Sequence, residues 1–213
     1  MAVTEADKSA EKETGRLEAF SDGVFGIAMT LLVLELRVPH LSAEGGPPAV
    51  TVKALAAALA KEWPSYFAFV TSFFTVLVMW VHHHAMFRLV RRTDARLLFA
   101  NGFLLMLVTA VPFPTAVIAE YLMTPAAKTA CAFYGGMFVL IAIAFQLVLQ
   151  AAFRPGMLSP DAPDQIIRRF KRNYRAGPIL YFLATLVALL NPWLSMAIFT
   201  AMWVFWALST SID

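Results

Sequence analysis

Three groups of residues in this chain have the types and spacing to do chemistry. Asp22 stands inside an otherwise uncharged apolar run, with Arg16 and Ser21 just before it. An ionisable side chain in such a run costs several kcal/mol if it faces hydrocarbon alone, so it faces protein or water. It then marks an ion path, a proton site or a polar anchor. His82, His83 and His84 form the second group and invite a metal-site reading. Consecutive helical residues point about 100° apart, so the three cannot close on one ion as an i, i+4 pair does. Only His40 remains elsewhere, too few for a di-iron centre built on several histidine boxes. The expectation is therefore interfacial histidines that cap a helix end and bond to neighbours, with no metal and no cofactor. The third group is Glu35, Glu44, Glu62 and Glu120, which fall near one side of the membrane and can enrich cations at a mouth. A solvated loop charge accounts for all of these but Glu35. No Ser/His/Asp set, paired intramembrane aspartates or Gly-rich phosphate loop occurs at a useful spacing, which argues against an enzyme.

The elements that must position these residues follow from the gaps between charges. Of 213 residues, 60% are hydrophobic and 15% charged, and the mean hydropathy is +0.68. A soluble domain carries roughly a quarter charged residues. Here long charge-free stretches alternate with short charged ones, and a helical span needs about 20 mostly apolar residues. Six helices are predicted: 17–38, which carries Asp22 and ends at Pro39; 52–81, whose membrane part starts at Trp63; 97–119; 129–153; 173–190; and 192–210. The last two divide one long uncharged stretch at Asn191-Pro192, a helix-breaking turn signal. The fold expected is all-α and polytopic, one membrane domain over 1–213, with 1–15 as a disordered or fraying cytoplasmic tail. The apolar run holding Asp22 has no small-residue cleavage site after it, so no removable signal peptide is expected. The single cysteine, Cys131, lies in an apolar run and excludes a disulfide framework.

Orientation follows from Lys and Arg. With six spans, the N-terminal tail, the 82–96 loop and the 154–175 loop share one side. That side holds Lys8, Lys12, Arg16, Arg88, Arg91, Arg92, Arg96, Arg154, Arg168, Arg169, Lys171, Arg172 and Arg175, 13 of the 17 basic residues. The positive-inside rule then puts both termini in the cytoplasm. The run Arg168-Arg169-Phe170-Lys171-Arg172 is either a topology signal or a contact for anionic headgroups, worth about 1 kcal/mol per basic residue. The formal net charge of +3 does not indicate nucleic acid, because the basic residues are juxtamembrane. Trp63, Tyr66, Tyr121, Trp193, Trp203 and Trp206 read as interfacial anchors or helix packing. No internal repeat of the kind common in carriers is evident.

On the first helix, Gly23, Ile27, Thr30, Leu31 and Leu34 share one stripe, and Asp22 lies roughly 140° round from Ile27. Periodicity alone favours ordinary helix packing for that stripe, with Gly23 and Gly26 permitting close approach. The string Arg16-x-x-x-Phe20-Ser21-Asp22, however, resembles the R-x-x-x-F-S-D signature that opens the first helix of the transmembrane-protein-175 family. The likeness runs on through Gly23, Ile27, Thr30, Leu31 and Leu34 into Leu36-Arg37-Val38-Pro39. Trp80-x-x-His83-His84-x-x-Phe87, then Asn101 and Pro112-Phe113-Pro114, resemble the prokaryotic members. These matches cover the first three spans; the last three carry no motif.

The resemblance implies a homotetramer in the plasma membrane of a prokaryote, passing potassium and other monovalent cations between its four first helices. It implies a constriction at Ile27, with Leu31 and Leu34 lining the next turns and Thr30 beside them, in place of a carbonyl filter. It also implies a structural polar network of Arg16, Phe20, Ser21, Asp22, Trp80, His83, His84 and Asn101. The alternative is a small proton- or cation-coupled transporter using Asp22. That reading needs a second intramembrane carboxylate or a helix broken mid-bilayer, and neither is clear in the sequence.

Overall fold

The computed structural model describes residues 5–41 and 51–209. Glu44 and the end of the predicted sixth helix at Thr210 lie outside the described residues. Among those described there are eight α-helices: α1 Glu5–Leu31, α2 Val52–Lys61, α3 Trp63–Phe87, α4 Ala95–Thr109, α5 Pro112–Tyr121, α6 Ala127–Ala152, α7 Asp164–Leu190 and α8 Pro192–Ser209. A 3-10 turn, Leu32–Glu35, continues α1. Six stretches are long and apolar enough to cross a membrane, with α4 and α5 together forming the third.

Several expected boundaries are corrected, each for a local reason. Residues 5–15 are helical, so α1 starts well before Leu17, and it ends at Leu31. The predicted helix 52–81 is two helices that meet at Glu62. Pro64 in the first turn of α3 has no N–H for the Ala60 carbonyl, which favours a helix start here over a continuous helix. Thr51 caps the separate α2 by accepting from the Ala54 N–H at 3.1 Å. At its other end α3 runs on to Phe87, so the three histidines lie within the helix and do not cap it. The predicted helix 97–119 is likewise interrupted at Ala110-Val111, ahead of Pro112 and Pro114. There the Ala110 and Val111 N–H groups tighten to the Leu107 and Val108 carbonyls (3.2 Å each), as helix ends do. Finally, α7 begins at Asp164, nine residues before the predicted 173. Hydropathy sees only the part in hydrocarbon, whereas the basic first turns are helical too. Between α7 and α8, the Asn191 side chain accepts from the Leu194 N–H (3.1 Å), and Pro192 begins α8, where a missing N–H costs nothing.

The core sits around α6. That helix packs most extensively on α7, then on α4, α5 and α8, while α1 packs on α3 and α4 at the edge of the subunit. Tyr134, Phe138, Ile141, Ala144 and Val148 form the buried face of α6. Gly135 lets α7 and α8 close on it: a Cβ there would collide with Thr185 Oγ1 and lie 2.8 Å from Phe199 Cζ. A buried hydroxyl relay joins three helices. Thr115 donates to the Val111 carbonyl (2.9 Å), so Ser72 donates to Thr115 (2.7 Å) and Tyr134 to Ser72 (3.1 Å). At the α4 start, Asp94 caps the helix through the Leu97 N–H (2.9 Å) and pairs with Arg154. The Arg154 hydrogen bond holds the Asp94 carboxyl below the usual carboxylate range.

Candidate functional site

The α1 helix has two unlike faces, both largely apolar. Ser21, Phe25 and Ala28 are fully buried on the side that packs against α3 and α4, and Leu32 is fully buried at the start of the 3-10 turn, which packs on α3 and α5. The opposite face turns away from its own subunit: Ile27 is 58% exposed and Leu34 72%, with Phe20, Gly23, Thr30 and Leu31 also exposed. Nothing lies within 4 Å of where a Gly23 Cβ would be. Close packing inside the subunit therefore does not explain that glycine. In a membrane, this ridge meets lipid or another chain.

Behind the ridge lies a polar network with a defined direction. The Ser21 hydroxyl donates to the Leu17 carbonyl (2.8 Å), which leaves its oxygen to accept from Asn101 Nδ2 (2.9 Å). The Asn101 carbonyl oxygen is thereby turned to His83 Nε2 at 2.8 Å, so that nitrogen carries the proton. The chain of bonds ends at His83 Nδ1, which is buried with no hydrogen-bond partner. Ser21, His83 and Asn101 are all fully buried. The ring of His83 stacks on Phe87 (4.3 Å between centroids) and tilts against Phe25 (5.3 Å), which fixes its plane.

A second branch lies one turn away on the same helix pair. Trp80 Nε1 donates to Asp22 Oδ1 at 2.8 Å. His84 Nδ1 lies 2.9 Å from Glu18 Oε1, and its ring stacks on Trp80. Glu18 and Asp22 are i, i+4 on α1, as Trp80 and His84 are on α3, so two helical pairs face each other. Glu18, Asp22 and His84 each offer one metal-ligating atom, all within 4.8 Å of one another. Asp22 and Glu18 already have partners in Trp80 and His84, so the cluster coheres as a polar clamp between α1 and α3.

Of the residues expected in the polar network, the structure brings together Ser21, Asp22, Trp80, His83, His84 and Asn101. Arg16 and Phe20 lie on the exposed side of α1, in line with Ile27, and within this subunit they are not part of the clamp. Glu18 was missed; its i, i+4 spacing to Asp22 was the available signal. His82 goes elsewhere, with Nε2 3.1 Å from the Trp206 carbonyl on α8. The three histidines thus serve three different neighbours. On the opposite side of the membrane Arg37 pairs with Glu120 and ties the end of α1 to α5. That hydrogen bond pushes the Arg37 pKa above the ordinary arginine value.

Comparison with known proteins adds to this geometry. Residues 16–112 match the family described as endosomal/lysosomal potassium channel TMEM175. A potassium channel of Chamaesiphon minutus is 46% identical over 202 residues, covering 94% of this chain and 97% of the relative. The chain belongs to the TMEM175 family. A potassium channel of Streptomyces collinus is 42% identical over 187 residues, 87% of each chain. The crystal structure of a lysosomal potassium-selective channel TMEM175 homolog from Chamaesiphon minutus superposes with a TM-score of 0.82 at 45% identity, covering 94% of this chain and 100% of that one. The TMEM175 match takes in α1 to α4, which hold the ridge and every residue of the clamp. As a member of an ion-channel family with six spans, the protein is a multi-pass membrane protein and not an enzyme.

Proposed function

We propose that four copies of this chain form a passive, potassium-permeable cation channel in the plasma membrane of a prokaryote, with both termini cytoplasmic. The four α1 ridges face a common axis, Ile27 forms the constriction, and Leu31 and Leu34 line the next turns with Thr30 beside them. The observation that carries this reading is the ridge itself. Its apolar side chains, Phe20, Ile27, Leu31 and Leu34, are exposed on the side of the helix opposite the buried Phe25 and Ala28. The relatives named as potassium channels, alike over nearly their whole length, support conduction. A ring of isoleucine side chains cannot coordinate a bare ion. It acts through pore width and the cost of wetting an apolar neck, which gives gating by dewetting and a modest preference for the ion that sheds water more readily. Asp22 and its partners lie behind the ridge and hold α1 in place, which weighs against a carrier that uses Asp22 as its substrate site.

Reconstitution in liposomes under a potassium gradient, with flux and single-channel recording, tests the proposal. Unitary currents are expected; saturable flux that stops without a counter-substrate would replace the channel by a carrier. Ile27→Asn is expected to raise conductance and weaken ion preference, because a polar ring lowers the wetting cost. Unchanged currents in that variant would move the constriction away from Ile27.

A further inference from the structure

Where α6 ends and α7 begins its passage through the membrane, the two helices leave a groove of about 320 Å³ between them. Its walls are Gln146, Leu149 and Gln150 from the end of α6, Phe153 just after it, and Lys171 and Arg175 from α7. The two cations are one turn apart on the same helical face, and Arg168 and Arg172 extend that face. Both are exposed, and among the described residues neither is ion-paired. The sequence explains why: α6 holds no acidic residue, and α7 holds none after Asp164. Arg169 points elsewhere and donates to the Ser209 carbonyl at 3.1 Å. The Gln146 side-chain oxygen is buried in this wall without a hydrogen-bond partner. A half-turn of that amide exchanges oxygen for nitrogen and offers N–H donors to an anion. Leu149 and Phe153 complete the lining with apolar surface.

We propose that this groove binds the phosphodiester headgroup of an anionic membrane phospholipid, with Lys171 and Arg175 on the phosphate and the Gln146 and Gln150 amides beside it. Charge complementarity and position together select this occupant. Among the described residues neither cation has an acidic partner, and both walls are membrane-spanning helices. The bilayer presents anionic headgroups at that depth, and basic pockets between such helices are suited to hold them. Arg168 and Arg172, on the same face but outside the lining, widen the field without contributing to the seat.

Native mass spectrometry of the full chain, released from nanodiscs of equal phosphatidylglycerol and phosphatidylcholine, reads the site directly. The wild type is expected to retain phosphatidylglycerol over phosphatidylcholine. Lys171→Gln with Arg175→Gln is expected to lower that preference by roughly five-fold per cation removed. Gln150→Trp leaves every cation in place but fills the groove, and is expected to lose the retained lipid. Equal retention of both lipids by the wild type would overturn the proposal, as would wild-type retention in either variant. Displacement of phosphatidylglycerol by millimolar inorganic phosphate would assign the seat to a free anion instead. None of these readouts depends on conduction, so they stand or fall apart from the channel assignment.

Discussion

At the scale of single residues, the clamp behind α1 is set by how few donors and acceptors it holds. Ser21, Asn101 and His83 each use their polar atoms in one direction only, from the Leu17 carbonyl to the bare His83 Nδ1. Asp22 supplies one acceptor to Trp80, and that bond fixes the rotation of α1 against α3. Asp22→Ala leaves the Trp80 N–H without an acceptor, at a cost of roughly 1–3 kcal/mol. Asp22→Asn keeps an acceptor oxygen. The expected outcome is that Asp22→Ala lowers the yield of assembled protein in size-exclusion chromatography while Asp22→Asn largely restores it. Channels that do assemble from Asp22→Ala should keep wild-type ion preference in bilayer recordings; a changed preference would make Asp22 part of the ion path. The special standing of Asp22 was legible in the sequence, because an ionisable group in an apolar run needs a partner, whereas Ser21 and Asn101 stood out through the family resemblance. The partner of each was not legible. Which of three successive histidines meets Asn101, Glu18 or Trp206 depends on how α3 is rotated among its neighbours, and no local pattern encodes that.

At the scale of elements, charge gaps revealed the six spans because hydrocarbon tolerates few charges, but helix ends obey other rules. Prolines split two predicted helices by removing N–H groups, at Pro64 and at Pro112 and Pro114. In the other direction α3 and α7 extend past their apolar limits, since a helix need not be apolar to be a helix. The same distinction between local and tertiary demands separates two neighbouring glycines of α6. A methyl at Gly135 meets Thr185 Oγ1, which is held by its bond to the Tyr181 carbonyl (2.8 Å), and Phe199, which is wedged among Tyr134, Phe138 and Tyr181. Overpacking of this kind costs about 1–3 kcal/mol. A methyl at Gly136 meets nothing within 4 Å, and replacing a mid-helix glycine by alanine gains roughly 0.5–1 kcal/mol. Gly135→Ala should therefore lower the unfolding temperature in detergent and Gly136→Ala should raise it. Shifts of the same sign would mean that α6, α7 and α8 are not packed as closely as described.

At the scale of the whole molecule, the subunit is organised as a packed body, α3 to α8, carrying α1 as an edge helix with one face committed and one free. An axial ridge has its own signature in symmetry, because side chains on an axis meet their own copies. Ile27→Cys puts one thiol per subunit at the proposed neck, and in a tetramer four thiolates converge there to form a soft-metal site. Ala28→Cys, next in sequence but fully buried on the committed face, offers no such convergence. The native Cys131 is buried in the core, so it provides a low background. Micromolar cadmium is expected to block the current of Ile27→Cys, with recovery on adding a chelator, and to leave Ala28→Cys and the wild type unaffected. A block confined to Ile27→Cys requires the ridge to line the conduction path, since four copies of a lipid-facing residue lie too far apart to share an ion. Insensitivity of Ile27→Cys, in channels that still conduct, would turn the ridge toward the bilayer and send the search for the pore to another face of the subunit.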